Sequence, residues 1–463
     1  MPIFKKINFF EEIMFRKNQN IHFVGIGGSG MSGIAEVLIN LGHKVSGSDL
    51  KKTYITEHLK LIGAIIFIGH KAANIKDSDV VVTSTAISKN NPEVVEALKK
   101  TIPVISRIEM LAELARLKYA VTIAGTHGKT TTTSLTSLIL DEGGFDPTIV
   151  IGGRLKNLKT SARLGKGDFI VAEADESDGS FLKLSPVITV ITNIDNDHLD
   201  YYNNMENLKN AFIKHINSVP FYGAAVICSD NEIIRELTPK ITRKYVTYGF
   251  TGKPDIKASN IKIQEKCTSF SVIYKNKKIG DVYIKIPGRH NILNSLGAIG
   301  VGLLVNIPFS LIAKAINKFN GVGRRLEIKG EKNGIMVIDD YGHHPTEVAT
   351  TIKSVKDFWP KRRLVVLFQP HRYTRTQNLF KEFGKSFSGA DIVRVLDIYP
   401  AGEKHIKGVS SDLILESLKK NKINAEHFSD LKTLLSILSE GDIVLTLGAG
   451  DVWKKSEELL KII

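Results

Sequence analysis

Ala124-Gly125-Thr126-His127-Gly128-Lys129-Thr130 comes directly after the apolar run Tyr119 to Ala124 and opens a helix-like stretch from about Thr131. Glycines on either side of Thr126 and His127 let the backbone bend so that its N–H groups face one point, and a helix starting there adds its positive end. Lys129 is then placed to reach the outer phosphates of a nucleotide, and Thr130 offers a hydroxyl to Mg2+. Only Thr126 and His127 separate the glycines, so the loop is shorter than the general phosphate-loop pattern. A plain strand-to-helix turn also uses glycine, but it has no need of Lys-Thr at the helix start. Strand, loop and helix in this order make a unit of a parallel sheet covered by helices, which sets the class as α/β.

The same alternation extends outward, with short apolar runs at Ile21 to Val24, Val80 to Val82 and Phe169 to Ala172. It restarts near Lys118 and again before Ile335 to Ile338, which predicts three domains, 1–117, 118–322 and 323–463, with a hinge at Gly321 to Glu327. Between Gly223 and Gly288 the texture becomes strand-like, as in Phe270 to Tyr274 and Val282 to Ile286, so the middle domain should carry a β-rich part. A length of 463 residues exceeds what one core organises, and 43% hydrophobic with 24% charged residues argues against a long disordered tail.

The chain has 63 Lys plus Arg against 48 Asp plus Glu, a formal charge of +15. The lysines are scattered and rarely interleaved with aromatic residues, so the pattern reads as a solvated basic surface and no nucleic acid partner is expected. Cys228 and Cys267 alone cannot build a disulfide framework or a zinc site, which fits a reducing cytoplasm. Glu11 and Glu12 interrupt the apolar residues of Met1 to Phe15 before a secretory leader is complete, and no apolar run reaches membrane-spanning length.

Two further strands end in acidic loops. Phe169 to Ala172 runs into Glu173-Ala174-Asp175-Glu176-Ser177-Asp178, and Val187 to Ile191 into Thr192-Asn193-Ile194-Asp195-Asn196-Asp197-His198. Ligands of an open parallel sheet gather outside the carboxyl ends of its strands, so both loops should converge on the phosphate loop. Mg2+ held between nucleotide oxygens takes a few hard protein ligands, which Thr130 and a carboxylate from the next strand would supply. His198 is a less usual Mg2+ ligand and by itself serves equally as a helix cap.

A second glycine loop, Gly25-Ile26-Gly27-Gly28-Ser29-Gly30, follows the strand Ile21 to Val24, and Asp49 comes after the next strand. This is the layout of a Rossmann-like fingerprint: a diphosphate at the helix N-terminus and an acid for a ribose hydroxyl. It reports a diphosphate more firmly than a nicotinamide, so NAD and a UDP-sugar are both allowed. In the third domain, Asp339-Asp340-Tyr341-Gly342-His343-His344-Pro345 follows one strand and Gln369-Pro370-His371-Arg372-Tyr373-Thr374-Arg375 the next, Leu364 to Phe368. Arginines beside histidines suit a carboxylate or phosphate.

Taken in order, these segments together with Pro287-Gly288-Arg289-His290-Asn291-Ile292-Leu293-Asn294 and Gly323-Arg324-Arg325 resemble the Mur ligase family over nearly the whole chain. The short phosphate loop is that family's own version. The first glycine loop looks most like the branch that adds L-alanine to UDP-N-acetylmuramate.

The resemblance implies a Rossmann-like N-terminal domain, a central P-loop ATP-binding domain and a Rossmann-like C-terminal domain. It implies ATP on Gly125, Thr126, His127, Gly128, Lys129, Thr130 and Thr131, with Asn291 and Asn294 at the adenine and Arg325 on the nucleotide. Thr130, Glu173 and His198 would bind Mg2+, or Mn2+ in its place. Gly25, Gly27, Gly28, Ser29, Gly30 and Asp49, with Tyr341 and Arg372, would hold the UDP-sugar. Tyr341, His344, His371 and Arg375 would position the amino acid, and Lys129, His198, His344, His371, Arg372 and Arg375 would serve the chemistry. The implied enzyme is a cytoplasmic monomer or homodimer that forms an acyl phosphate and then an amide. The alternatives are a ligase adding a preformed peptide to UDP-N-acetylmuramate and, more distantly, an NAD-dependent oxidoreductase.

Overall fold

The computed structural model describes residues 19–84, 86–151, 162–264 and 267–463. The segment Met1 to Phe15, read above as no leader, lies outside them, as does the side chain of Ser29. The chain is α/β throughout, and its apolar runs build three sheets in succession.

The first sheet contains β1 (Asn20–Val24), β2 (Lys44–Asp49), β3 (Ile65–Ile68), β4 (Val80–Thr83) and β5 (Val104–Ser106), all parallel, in the order β3-β2-β1-β4-β5. The order reverses direction at β1 and β4, and that switch point puts the glycine loop after β1 at the edge of an open crevice. Polar residues set where the flanking helices begin. The helix Arg107–Arg116 starts at a capping box in which Ser106 accepts from the Glu109 N–H and the Glu109 carboxylate accepts from the Ser106 N–H.

The second sheet holds β6 (Tyr119–Ala124), β7 (Thr148–Val150), β8 (Ala162–Arg163), β9 (Phe169–Glu173), β10 (Ile188–Ile191), β11 (Ala224–Cys228), β12 (Tyr245–Gly249), β13 (Ile256–Gln264), β14 (Cys267–Tyr274) and β15 (Lys277–Ile284). Its order, β15-β14-β13-β12-β11-β10-β6-β9-β7-β8, seats β6 between β10 and β9, parallel to both. The phosphate loop is therefore flanked by the two acidic loops, as expected. The β-rich part is an antiparallel extension, β13 to β15. Its last hairpin turns on Lys275 and Asn276, both at positive φ, the geometry that matches the right-handed twist of paired strands.

In the third sheet, β16 (Glu327–Lys332) pairs antiparallel with β17 (Ile335–Asp340), and β18 (Leu364–Phe368), β19 (Ile392–Val395), β20 (Ala425–His427) and β21 (Ile443–Leu447) complete the order β16-β17-β21-β18-β19-β20. The loops after β17 and β18 were expected on neighbouring strands. Instead β21 lies between them, parallel to both, because the last strand of the chain returns to the middle of the sheet. One apolar core runs continuously through the first two sheets, whereas the third sheet has its own clusters, one seeded by Ile338, Val366 and Phe368 and the other by Val337, Val365 and Leu367. Alternate residues of β17 and β18 thus feed opposite faces.

Candidate active site

Gly125 (φ +129°) and Gly128 (φ +83°) hold the turn that the phosphate loop needs. A Cβ on Gly125 would meet the Thr192 hydroxyl, and one on Gly128 would lie 2.5 Å from Asn294 Oδ1. The loop is strapped from the neighbouring strand: Asn193 Oδ1 accepts from the His127 N–H at 2.9 Å, its amide donates to the His127 carbonyl at 2.9 Å, and Thr192 donates to the same carbonyl at 2.6 Å. The helix Lys129–Glu142 starts immediately, one residue pair earlier than the sequence suggested.

Lys129 folds back over its loop. Its ammonium donates to the Gly125 carbonyl at 2.7 Å and to both carboxylate oxygens of Glu176 at 3.0 and 2.9 Å. Burial works against its charge, but Glu176, Asp175 and Glu173 outweigh burial and keep the ammonium protonated. His198, at the start of the next turn with φ +59°, brings Nε2 within 3.8 Å of Glu176 and 3.7 Å of Asp197. Thr130 is buried at the helix start, and the Glu173 carboxylate ends β9 close enough to act on both Lys129 and Arg325. Lys129, Thr130, Glu173 and His198 are thus gathered on one side of the second sheet.

His127 joins the middle domain to the third. Its Nε2 is 3.2 Å from Asp195 and its Nδ1 3.4 Å from Glu347, at the start of the helix Pro345–Phe358. Burial disfavours the imidazolium, yet the bonds to Asp195 and Glu347 lift its pKa to about 9. Glu347 also accepts from the His343 and His344 N–H groups and lies 3.7 Å from Arg325. His344 packs its ring 5.7 Å from that of His127; its buried Nε2 has no hydrogen-bond partner among the described residues, and burial lowers its pKa. His127, Asp195 and His344 place ligand atoms within 4.8 Å of one another. His127 is already engaged there as a cation, which disfavours metal at that trio.

Behind the loop lies a cavity of about 360 Å³, bounded by Gly128, Thr130, Thr131, Asn291, Asn294 and Arg325. Asn291 donates to the Pro287 carbonyl at 2.5 Å and accepts from Asn294 at 3.0 Å, so the two amides are fixed side by side. Tyr341 stacks under two guanidinium groups, Arg324 at 4.9 Å and Arg325 at 5.3 Å. Arg375 donates to His371 Nδ1 at 3.5 Å, and His371 stacks on Tyr399 at 5.7 Å. Burial, with His343 and Arg375 nearby, pushes the His371 pKa down to about 3, so the ring is neutral. Arg372 has φ +71° and an exposed side chain; neither it nor Tyr341 is hydrogen-bonded to the first glycine loop among the described residues.

That first loop is ordered by Asp49, whose carboxylate accepts from the Gly27 N–H at 2.9 Å. Arg107 lies against Gly30, where a Cβ would come within 2.3 Å of its guanidinium, and reaches Asp175 of the acidic loop at 3.6 Å. The two glycine-loop sites therefore adjoin. Glu176, Asn193 and Asp195 lie in the acidic loops but have no role that the sequence alone assigns, and Arg107 and Glu347 fall outside every motif of the sequence. The only local signal for Glu347 was a carboxylate three residues after His344, the spacing of a capping box.

A phosphate-type loop between acidic loops, a diphosphate-type loop beside it and a third domain lining the adjoining cavity are the layout of a nucleotide-dependent enzyme of three domains. Family profiles match in the same order: "Mur ligase family, catalytic domain" at residues 20–119, "Mur ligase middle domain" at 123–302 and "Mur ligase, glutamate ligase domain" at 324–450. The chain belongs to the Mur ligase family. The UDP-N-acetylmuramate--L-alanine ligase of Endomicrobium trichonymphae is 74% identical over 450 residues, covering 97% of this chain and all (100%) of the relative. That of Geobacter sulfurreducens is 53% identical, covering 96% and 98%. Among solved structures, the UDP-N-acetylmuramate-alanine ligase of Thermotoga maritima superposes with a TM-score of 0.82 at 30% identity, covering 96% of this chain and 98% of that one. A murein peptide ligase of Psychrobacter arcticus shares the fold, with a TM-score of 0.71 at 24% identity over 96% and 98%.

Proposed function

We propose that this chain joins L-alanine to the lactyl carboxylate of UDP-N-acetylmuramate with consumption of ATP, giving UDP-N-acetylmuramoyl-L-alanine, ADP and phosphate. It is an ATP-dependent amide-forming ligase of peptidoglycan precursor synthesis. The observation that carries this reading is the end-to-end likeness to alanine-adding ligases, 74% identity over 97% of the chain. No helix among the described residues is long and apolar enough to cross a membrane, and the substrates are those of the cytoplasm.

In our division of labour, residues 1–117 hold the UDP-sugar on Gly25, Gly27, Gly28, Ser29, Gly30 and Asp49, residues 118–322 hold ATP, and residues 323–463 deliver the amino acid. The cavity supports adenosine against Asn291 and Asn294, with Arg325 beside it and the phosphates on Gly125 to Thr131. Thr130 and Glu173 offer hard oxygen donors that suit Mg2+, and His198 would add a nitrogen donor beside them. Mg2+ bound there would spread the charge of the transferring phosphoryl group.

A carboxylate oxygen of the substrate attacks the γ-phosphorus, and the bond to ADP breaks. Lys129 exchanges Glu176 for the phosphate oxygens and stabilises the charge that builds on them. The amine of L-alanine then adds to the acyl carbon and loses a proton to the departing phosphate or to solvent, while the Nε2 of His344, which carries the ring proton because Nδ1 accepts the Thr346 N–H, is an unpartnered donor facing the site. Phosphate departs with one of the original carboxylate oxygens. His371 and Arg375 hold the amino acid carboxylate, while Tyr341 and Arg372 complete the sugar side on closure. Gathering three reactants can contribute about 7 to 11 kcal/mol when geometry is good. The separate core of the third domain, and positive φ at Gly321, Arg324 and Leu326, suit it to be the moving part.

Labelling the lactyl carboxylate with 18O tests the acyl phosphate. One label per product should appear in inorganic phosphate; phosphate free of label would exclude this route.

A further inference from the structure

Glu93 is a carboxylate with no solvent exposure in a domain where nothing discussed so far uses it. Its place at the start of the helix Pro92–Lys99, capped by Asn91, is favourable for a negative charge but does not require burial. Four polar side chains converge on it. Ser48 donates to Oε2 at 2.6 Å, His70 Nδ1 is 3.1 Å from the same oxygen, Asn74 donates to Oε1 at 2.6 Å, and His22 Nε2 lies 3.6 Å away. Burial alone would raise its pKa, yet the nearby His22 and the bonds from Ser48 and Asn74 bring it down to about 2, so it stays ionised.

An ionised acceptor fixes its neighbours. With Ser48 spending its hydroxyl proton on Glu93, the Nδ1 of His70 sits 2.9 Å from the Ser48 oxygen and must carry the proton. His70 Nε2 is then a lone-pair acceptor; it has no protein partner among the described residues and is not sealed from solvent. His70 stands just beyond β3, where the Gly69 N–H donates to the Asp49 carbonyl, so its ring lies at the carboxyl ends of β2 and β3 beside the ribose-type acid. In a sheet of this order, that is the base end of a nucleotide whose diphosphate sits on the β1 loop.

We propose that Glu93 and His70 form a base-reading pair: Glu93 is the positioning residue that fixes the His70 ring, and His70 Nε2 accepts the imide N–H of uracil. The proposal rests on the reading that the first domain holds the UDP moiety. Cytosine has a lone pair at that ring position and no imide proton, so a site built on an acceptor rejects it.

The test is calorimetric titration of the full-length chain with UDP and with CDP, alongside thermal midpoints. The wild type should bind UDP at least about tenfold tighter than CDP, and His70→Ala should bring the two within about threefold by weakening UDP alone. Glu93→Gln, whose amide can donate to Nδ1 and turn Nε2 into a donor, should lower the UDP-to-CDP ratio at least about tenfold. If Glu93→Gln unfolds, the partly exposed His70→Ala decides. An unchanged ratio in His70→Ala overturns the pair, as does equal weakening of both nucleotides. Failure of the wild type to bind UDP would overturn the assignment of the first domain itself.

Discussion

The Lys129 ammonium lies 3.0 and 2.9 Å from the two carboxylate oxygens of Glu176, a side chain only 1% exposed. On the proposed reading, the cation meant for the phosphates is held in place before they arrive, by an acid that would release it when they bind. Breaking a buried pair by removing one partner commonly costs about 3 to 5 kcal/mol, because the other charge is left without compensation.

Lys129→Ala should therefore lower phosphate release by about a hundredfold or more, while UDP-sugar binding stays within about twofold. Malachite-green kinetics and calorimetry report the two quantities separately. Loss of both together would show that the first domain does not bind its substrate independently.

Gly128→Ala should raise the KM for ATP by about tenfold or more. The left-handed backbone there costs a β-carbon residue about 1 to 2 kcal/mol, and the new methyl group would press on Asn294 Oδ1, 2.5 Å away. An unchanged KM for ATP would remove Asn294 from the nucleotide site.

The His127 bridge predicts a pH dependence. Its pKa is raised from 6.5 to about 9 by Asp195 and Glu347, against burial. Its stabilisation is complete below pH 6.5 and fades as pH rises through about 9, with an upper bound of about 3 kcal/mol. Urea unfolding at pH 6.5 and 9.5 should show a larger loss for the wild type than for Glu347→Gln. Equal losses would sink the bridge as the cause.

Arg375→Ala should raise the KM for L-alanine by about tenfold to a hundredfold, leaving that for ATP nearly unchanged. Steady-state kinetics with each substrate varied in turn decides this. Unaltered constants for all three substrates would place Arg375 outside the site.

Much of the architecture was legible because the runs Tyr119 to Ala124 and Ile21 to Val24 stand directly before glycine loops, and strand-loop-helix order follows from that pattern. The place of β21 was not, since strand order depends on pairing between segments distant in sequence. Glu176 and Asp195 stood in segments already singled out, but nothing local says that one holds Lys129 and the other His127. Glu347 reaches His127 from another domain, a contact only the folded chain creates. Asn291 and Asn294 read by themselves as a polar helix start, and only the family resemblance gave them adenine.

The central claim is tested most directly by phosphate release from ATP with UDP-N-acetylmuramate and, in separate reactions, L-alanine, glycine, L-serine or the cell-wall tripeptide, with product masses recorded. The account predicts release that requires UDP-N-acetylmuramate, is fastest with L-alanine and yields UDP-N-acetylmuramoyl-L-alanine. Release that is fastest with tripeptide, or that proceeds without any amide product, would contradict it.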